Sequence, residues 1–143
     1  MKLASTVTAL LCAAFLISLS GCSTKTVNAE PLSPNYIAAQ EALSADNFDQ
    51  AKTALTALAA ESTGDFQKNI QDAATASDID GMRMAFRSAS DVLIKNGVPA
   101  EYAVAFCPMY QASKGGSKWV QRKGTIANPY TGKSMLTCGE FQK

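Results

Sequence analysis

An uncharged apolar run near the amino terminus limits how much of this chain can fold as a globular domain. Lys2 supplies a positive charge, and residues 3–19 are mostly apolar and carry no charged side chain. This pattern is typical of a secretory signal peptide, which is removed from the mature protein. We therefore expect the loss of residues 1–21. The remaining 122 of the 143 residues are enough for one domain of ordinary size.

The end of the apolar run carries a second signal. Leu19-Ser20-Gly21-Cys22 resembles the lipobox of bacterial lipoproteins, which implies cleavage before Cys22 and lipidation of that residue. Ser23 resembles the variant sorted to the outer membrane of Gram-negative cells, so we expect a lipid-anchored domain on the periplasmic face. The alternative is an uncleaved signal anchor, for which the run is at the short limit. Residues 22–33 are polar and predict a flexible tether.

Capping residues and helical periodicity predict a mainly α-helical body. Ser33-Pro34 is typical of a helix start, and Asn96-Gly97 is a stop signal. Three interruptions divide the apolar stripes between these points into four segments: Asp46-Asn47, Thr63-Gly64 and Ser77-Asp78. We expect a bundle of about four helices over residues 34–97.

After the last predicted helix the pattern changes to short pieces punctuated by glycine. Tyr102, Val104 and Phe106 alternate with alanines, which favours a strand, with a helical turn as the alternative for so short a run. Repeated glycines and Asn128-Pro129 then interrupt the chain. We expect residues 98–143 to form a small irregular appendage with one or two short β-strand pairings, within a single domain over residues 34–143.

Composition and charge exclude several classes of function. The chain holds no histidine, which excludes Ser-His-Asp and Cys-His catalysis and His-based zinc sites. Four aspartates of the helical half are interpreted as solvated helix termini: Asp46, Asp49, Asp78 and Asp80. The sequence therefore predicts no catalytic residue and no enzymatic activity.

The two halves of the body differ in charge. Residues 23–106 have a net charge of −5 and residues 107–143 a net charge of +5. We interpret this division as attraction within one domain, with an acidic partner or anionic lipid as the alternative for the basic half. The charges cancel over the mature chain, so no nucleic-acid partner is expected.

Two cysteines remain for the folded domain. Cys12 leaves with the signal peptide and Cys22 is the predicted lipidation site, which leaves Cys107 and Cys138. Each lies near a methionine, in the segments CPM and MLTC. Thiolate and thioether sulfur favour Cu(I), and the chemically similar Ag(I), over hard ions. If the two segments meet, four residues predict a soft-metal site: Cys107, Met109, Met135 and Cys138.

The alternative is a disulfide between Cys107 and Cys138. Two cysteines in an oxidising compartment commonly pair. The bond would close a loop of about 30 residues and would stabilise the fold by about 3 to 4 kcal/mol in the chain-entropy view. Met109 and Met135 would then be packing residues. The residues alone favour the disulfide over the soft-metal site.

Three segments carry a likeness to a known family: YIAAQEALSADNFDQAKTAL, DIDGMRMAFRSASDVLI and AFCPMYQASKGGSKWVQRKGTIANPYTGKSMLTCGE. Together, residues 36–141 resemble the periplasmic family called domain of unknown function 3347. The third segment is similar to the CPM, Gly-x-x-Trp, NPY-x-G and ML-x-CG elements of that family. The family occurs alone and attached to adaptor subunits of copper and silver efflux systems. The resemblance therefore implies a helical domain with a small C-terminal appendage and an association with copper or silver handling.

These observations lead to two expectations from different classes. The first is a periplasm-facing lipoprotein that binds Cu(I) or Ag(I), for sequestration or for delivery to an efflux complex, with no other cofactor. The second is a structural or interaction module of the envelope, with its appendage held by the Cys107 to Cys138 disulfide. Neither is an enzyme.

Overall fold

The structure, a computed structural model, describes residues 32–143. Within that range it contains four α-helices followed by a small antiparallel sheet, which confirms the predicted mainly α-helical bundle with a β-containing appendage. The predicted signal peptide and the lipidation site Cys22 lie outside the described residues, as does most of the predicted tether. None of the described helices combines the length and apolar character needed to cross a membrane.

The helical half consists of α1 (Pro34–Ser44), α2 (Phe48–Glu61), α3 (Gly64–Ala74) and α4 (Ile79–Asn96). Side-chain oxygens cap three of these helices. They belong to Ser33, Asn47 and Asp78 and accept hydrogen bonds from first-turn N–H groups. α4 ends where Gly97 adopts a φ of 106°, a conformation that glycine reaches without steric cost. The predicted helix boundaries at Pro34 and Asn96 are confirmed.

The appendage contains β1 (Tyr102–Cys107), β2 (Ser117–Arg122) and β3 (Glu140–Phe141). β1 lies in the centre and pairs antiparallel with both neighbours, so the sheet order is β2-β1-β3. Two short 3₁₀ helices, Ala112–Lys114 and Gly132–Met135, lie in the connections. The two pairings agree with the predicted number of short strand pairings.

An aromatic cluster joins the bundle to the sheet. The ring centroids of Tyr36 and Phe86 lie 5.0 Å apart, and Trp119 meets Tyr130 edge to face at 5.8 Å. All four rings are buried, so burial of their apolar surface is a main source of stability at this junction. Leu32, at the end of the segment predicted as tether, is also buried in this core.

Candidate metal centre

The two cysteines of the appendage meet in space. Cys107 Sγ and Cys138 Sγ lie 3.1 Å apart, and both residues are free thiols. The register of the sheet explains this meeting, since Phe106 of β1 pairs with Glu140 of β3. Continuing that antiparallel register places Cys107 opposite Gly139, next to Cys138. The sheet therefore brings together two residues that are 31 positions apart in the chain.

The separation of the two sulfur atoms lies between the distances that the two predicted bonding states require. A disulfide bond is about 2.05 Å long, so the sulfur atoms would have to approach by about 1.1 Å. Two thiolates on opposite sides of an ion at about 2.3 Å would lie about 4.6 Å apart, a displacement of about 1.5 Å. Both displacements are within the reach of small side-chain rotations.

The surroundings of the pair distinguish the two thiols electrostatically. Burial raises the pKa of Cys107, but hydrogen bonds from the Cys138 thiol, from the N–H groups of Tyr110 and Met109 and from the Asn128 side chain outweigh it, and the pKa is lowered. The pKa of Cys138 is raised, mainly because its thiol donates to Cys107. Cys107 is therefore the first to become a thiolate, which is the form that binds metal.

The two methionines of the predicted site remain at the surface. Met109 is 61% exposed and Met135 is 44% exposed. Within the part of the chain that the structure describes, neither thioether is a hydrogen-bond partner of the thiols. The structure thus brings together Cys107 and Cys138, and it leaves Met109 and Met135 on the flanking segments, open to solvent.

No group of three or more His, Cys, Asp or Glu side chains among residues 32–143 is arranged to hold a metal ion. A metal on the thiol pair would have two cysteine ligands. The thioether sulfur of Met109, close to Cys107 in the sequence, or of Met135, close to Cys138, would be the candidate for a further ligand. Sulfur donors in low number suit a soft ion such as Cu(I) or Ag(I).

Asn128 is a residue of the site for which sequence reasoning offered no role. It is fully buried, and its Nδ2 donates to the carbonyl oxygen of Cys138 at 2.7 Å. Its Oδ1 accepts from the N–H groups of Tyr130 and Thr131 at 2.8 and 3.3 Å. The signal in the sequence is Asn128-Pro129, which indicates an interruption and resembles part of a family motif but gives the Asn128 side chain no role.

The loop that carries Asn128 is fastened to the helical half by buried polar side chains. Gln40 of α1 donates to the carbonyl of Ala127 at 2.7 Å, and Arg83 of α4 donates to the carbonyl of Pro129 at 2.9 Å. These contacts satisfy carbonyl groups that the short loop cannot pair internally. The helices therefore support the loop, and the loop supports Cys138.

Comparisons of this chain with known protein families, with curated proteins and with solved structures found no match. The resemblance to the periplasmic family therefore stays a prediction.

Proposed function

We propose that this protein binds a soft monovalent metal ion, Cu(I) or Ag(I), between the thiolates of Cys107 and Cys138. The observation that carries the proposal is the 3.1 Å separation of the two sulfur atoms. To hold one ion between them, the two sulfur atoms would move apart by about 1.5 Å. Thiolate ligands favour such soft ions over hard ions, and two cysteines are fewer than the four ligands of a structural zinc site.

The electrostatics of the appendage support the same proposal. Two thiolates and one monovalent ion carry a net charge of −1, and residues 107–143 carry a net charge of +5. A positive field favours the thiolate forms and so favours metal binding. The lowered pKa of Cys107 acts in the same direction, because less proton competition remains at the first ligand.

The cellular role that we propose is sequestration of the ion or its delivery to a copper or silver efflux complex. The protein would be non-enzymatic and held by a lipid on Cys22 at the periplasmic face of the outer membrane. The family resemblance and the lipobox-like segment support this part of the proposal. Deletion of the gene is expected to lower the copper or silver tolerance of the cell, and restoration with Cys22→Ala tests the need for the anchor.

Metal binding is tested by anaerobic titration of the reduced protein with Cu(I) against a chromophoric chelator. We expect a stoichiometry of one ion per chain. Cys107→Ser and Cys138→Ser should each weaken binding by more than about a hundredfold, since even supporting residues around a metal contribute 10- to 100-fold. Unchanged affinity in both cysteine variants would overturn the proposal.

The methionines require their own comparison. If Met109 or Met135 supplies a further donor, replacement by Leu should weaken binding of Cu(I) but keep the hydrophobic volume. Met84→Leu is the matched control, because Met84 is 56% exposed on α4 and lies outside the predicted site. Equal affinities of the Met109→Leu, Met135→Leu and Met84→Leu variants would restrict the site to the cysteines.

The same proximity of Cys107 and Cys138 favours a second candidate function, an envelope module stabilised by a disulfide. This candidate is tested by counting free thiols in protein taken directly from the periplasm with its thiols trapped by alkylation. A complete disulfide in cells, together with copper tolerance that does not depend on the protein, would support the second candidate over metal binding.

A further inference from the structure

Asn128 forms two hydrogen bonds with the segment that ends at Cys138. Its Nδ2 group donates to the Cys138 carbonyl at 2.7 Å, and its backbone N–H donates to the Leu136 carbonyl at 2.8 Å. One buried residue therefore holds two positions of the segment that ends at Cys138, whose thiol lies 3.1 Å from that of Cys107.

The orientation of the Asn128 amide is determined by its neighbours. Two backbone N–H groups, those of Tyr130 and Thr131, point at Oδ1, and an amide nitrogen in that position would face two donors with no acceptor. The NH₂ group must therefore face the Cys138 carbonyl, to which it donates at 2.7 Å.

Cys138 is partly buried against the hydrophobic core, and its thiol contacts that of Cys107. β3 contains only two residues, and its side chains are exposed. The N–H of Cys138 donates to the Met135 carbonyl at 3.0 Å, which is a contact within the same turn. The Asn128 loop, in contrast, is fastened to α1 and α4 through Gln40 and Arg83. The hydrogen bond from Asn128 thus links the backbone of Cys138 to a loop that the helices hold in place.

We propose that Asn128 is a positioning residue for the thiol pair: by holding the Cys138 carbonyl, it sets the separation of the two sulfur atoms. The consequence for metal rests on the proposed function above. The positioning itself is a property of the metal-free protein, so it is tested without metal, and failure of either proposal can be recognised separately.

The variant Asn128→Asp isolates this role. The carboxylate keeps an oxygen for the N–H groups of Tyr130 and Thr131, so the turn is preserved. It replaces the NH₂ donor by an oxygen that faces the Cys138 carbonyl and repels it. Asn47→Asp is the matched control, because Asn47 is an exposed cap of α2 whose Oδ1 accepts from the Gln50 N–H at 3.1 Å.

The measurement is the equilibrium between the dithiol and disulfide forms in a glutathione redox buffer. In this reaction the two cysteines lose two electrons and two protons, and oxidised glutathione is reduced to two thiols. We expect Asn128→Asp to lower the equilibrium constant for ring closure at least about tenfold, equivalent to a reduction potential about 30 mV less negative. Asn47→Asp should leave it unchanged. An unchanged constant in a folded Asn128→Asp variant would overturn the proposal.

A second measurement keeps the test independent of whether the variant folds. In ¹⁵N-labelled wild-type protein, the side-chain amide signals of Asn128 should shift when the cysteines are oxidised, because the Cys138 carbonyl that accepts from Nδ2 moves with its residue. The side-chain signals of Asn47 should not shift. Signals of Asn128 that stay in place on oxidation would also overturn the proposal, whereas absence of Ag(I) or Cu(I) binding would overturn only the proposed function.

Discussion

Arg83 and Pro129 belong to different halves of the molecule and are joined by a hydrogen bond of 2.9 Å from Nε to the carbonyl oxygen. The same guanidinium donates from Nη2 to the carbonyl of Leu43 at 3.0 Å and to the carboxylate of Asp46. Its side chain is only 8% exposed. One buried cation therefore ties the turn between α1 and α2 to the loop that carries Asn128.

Replacement of Arg83 by Met should destabilise the protein strongly. The carbonyl groups of Leu43 and Pro129 would lose their donor, and Asp46 would lose its partner, at a total cost of about 3 kcal/mol. Urea denaturation monitored by circular dichroism measures the loss. Arg122→Met is the control, because Arg122 is 65% exposed and its ion pair with Glu41 should contribute less than about 1 kcal/mol. Similar losses in both variants would contradict the prediction.

Gly132 lies directly over the ion pair between Arg83 and Asp46. Its φ is +55°, and a Cβ atom there would approach the Asp46 carboxylate to 1.8 Å and the Arg83 guanidinium to 2.3 Å. Gly132→Ala should therefore destabilise the fold both by backbone strain and by displacing the ion pair. Gly64→Ala is the matched control, because Gly64 has a φ of +64° and open space around the added carbon.

The difference in unfolding free energy between Gly132→Ala and Gly64→Ala measures the steric clash with the ion pair. Backbone strain alone should cost about 1 to 2 kcal/mol in Gly64→Ala, and Gly132→Ala should lose about 2 kcal/mol more if the ion pair separates. Thermal and urea unfolding of both variants measure the two losses. Equal losses would show that the space above the ion pair is not needed.

Acid should weaken the same contact. The hydrogen bond from Arg83, followed by that from the Lys133 N–H, lowers the pKa of Asp46 below its ordinary value. A carboxylate with a lowered pKa in the folded state contributes stability above its unfolded pKa, near 3.9, and this contribution is lost as the pH falls through the folded pKa. We expect the unfolding free energy to decline below about pH 4.

Asp46→Asn should reduce this acid dependence, and the measurement is the urea midpoint between pH 2 and pH 6. Glu101→Gln removes the same charge from an exposed turn before β1 and serves as the control. A decline with the same slope in Asp46→Asn as in the unsubstituted protein would mean that other carboxylates, such as the cap Asp78, account for it.

The buried hydroxyl of Tyr36 should make the stability of the protein fall in alkali. Its hydroxyl lies 2.8 Å from Ser90 Oγ and accepts from the Val120 N–H at 3.2 Å, and burial raises its pKa to about 12. A raised pKa in the folded state contributes stability that is complete below the unfolded pKa of about 10 and is lost as the pH rises toward 12.

Tyr36→Phe should therefore flatten the loss of stability between pH 10 and pH 12. At neutral pH the same variant should cost about 1 to 2 kcal/mol, because the buried Val120 N–H loses its acceptor. Tyr102→Phe, at the half-buried start of β1, is the control. Identical slopes for Tyr36→Phe and the unsubstituted protein would contradict the assignment.

The features that could be read from the sequence are those encoded by neighbouring residues. Ser33-Pro34, Asp78 and Asn96-Gly97 act on the backbone within one turn of themselves, so their caps and stops are visible without knowledge of the fold. The alternation in Tyr102–Cys107 likewise predicted β1. Sulfur chemistry also required only residue types and their spacing, which is why Cys107 and Cys138 were identified.

Only the tertiary structure decided which distant groups meet. Asp46 was expected to be a solvated helix terminus, but it binds Arg83 and the Lys133 N–H because the appendage folds back onto the turn after α1. The 3.1 Å contact of the thiols and the hydrogen bond from Asn128 to the Cys138 carbonyl arise in the same way. These contacts join residues far apart in the chain. They therefore form only when sheet pairing and core burial outweigh the entropic cost of closing the loops between them. No local pattern encodes that balance.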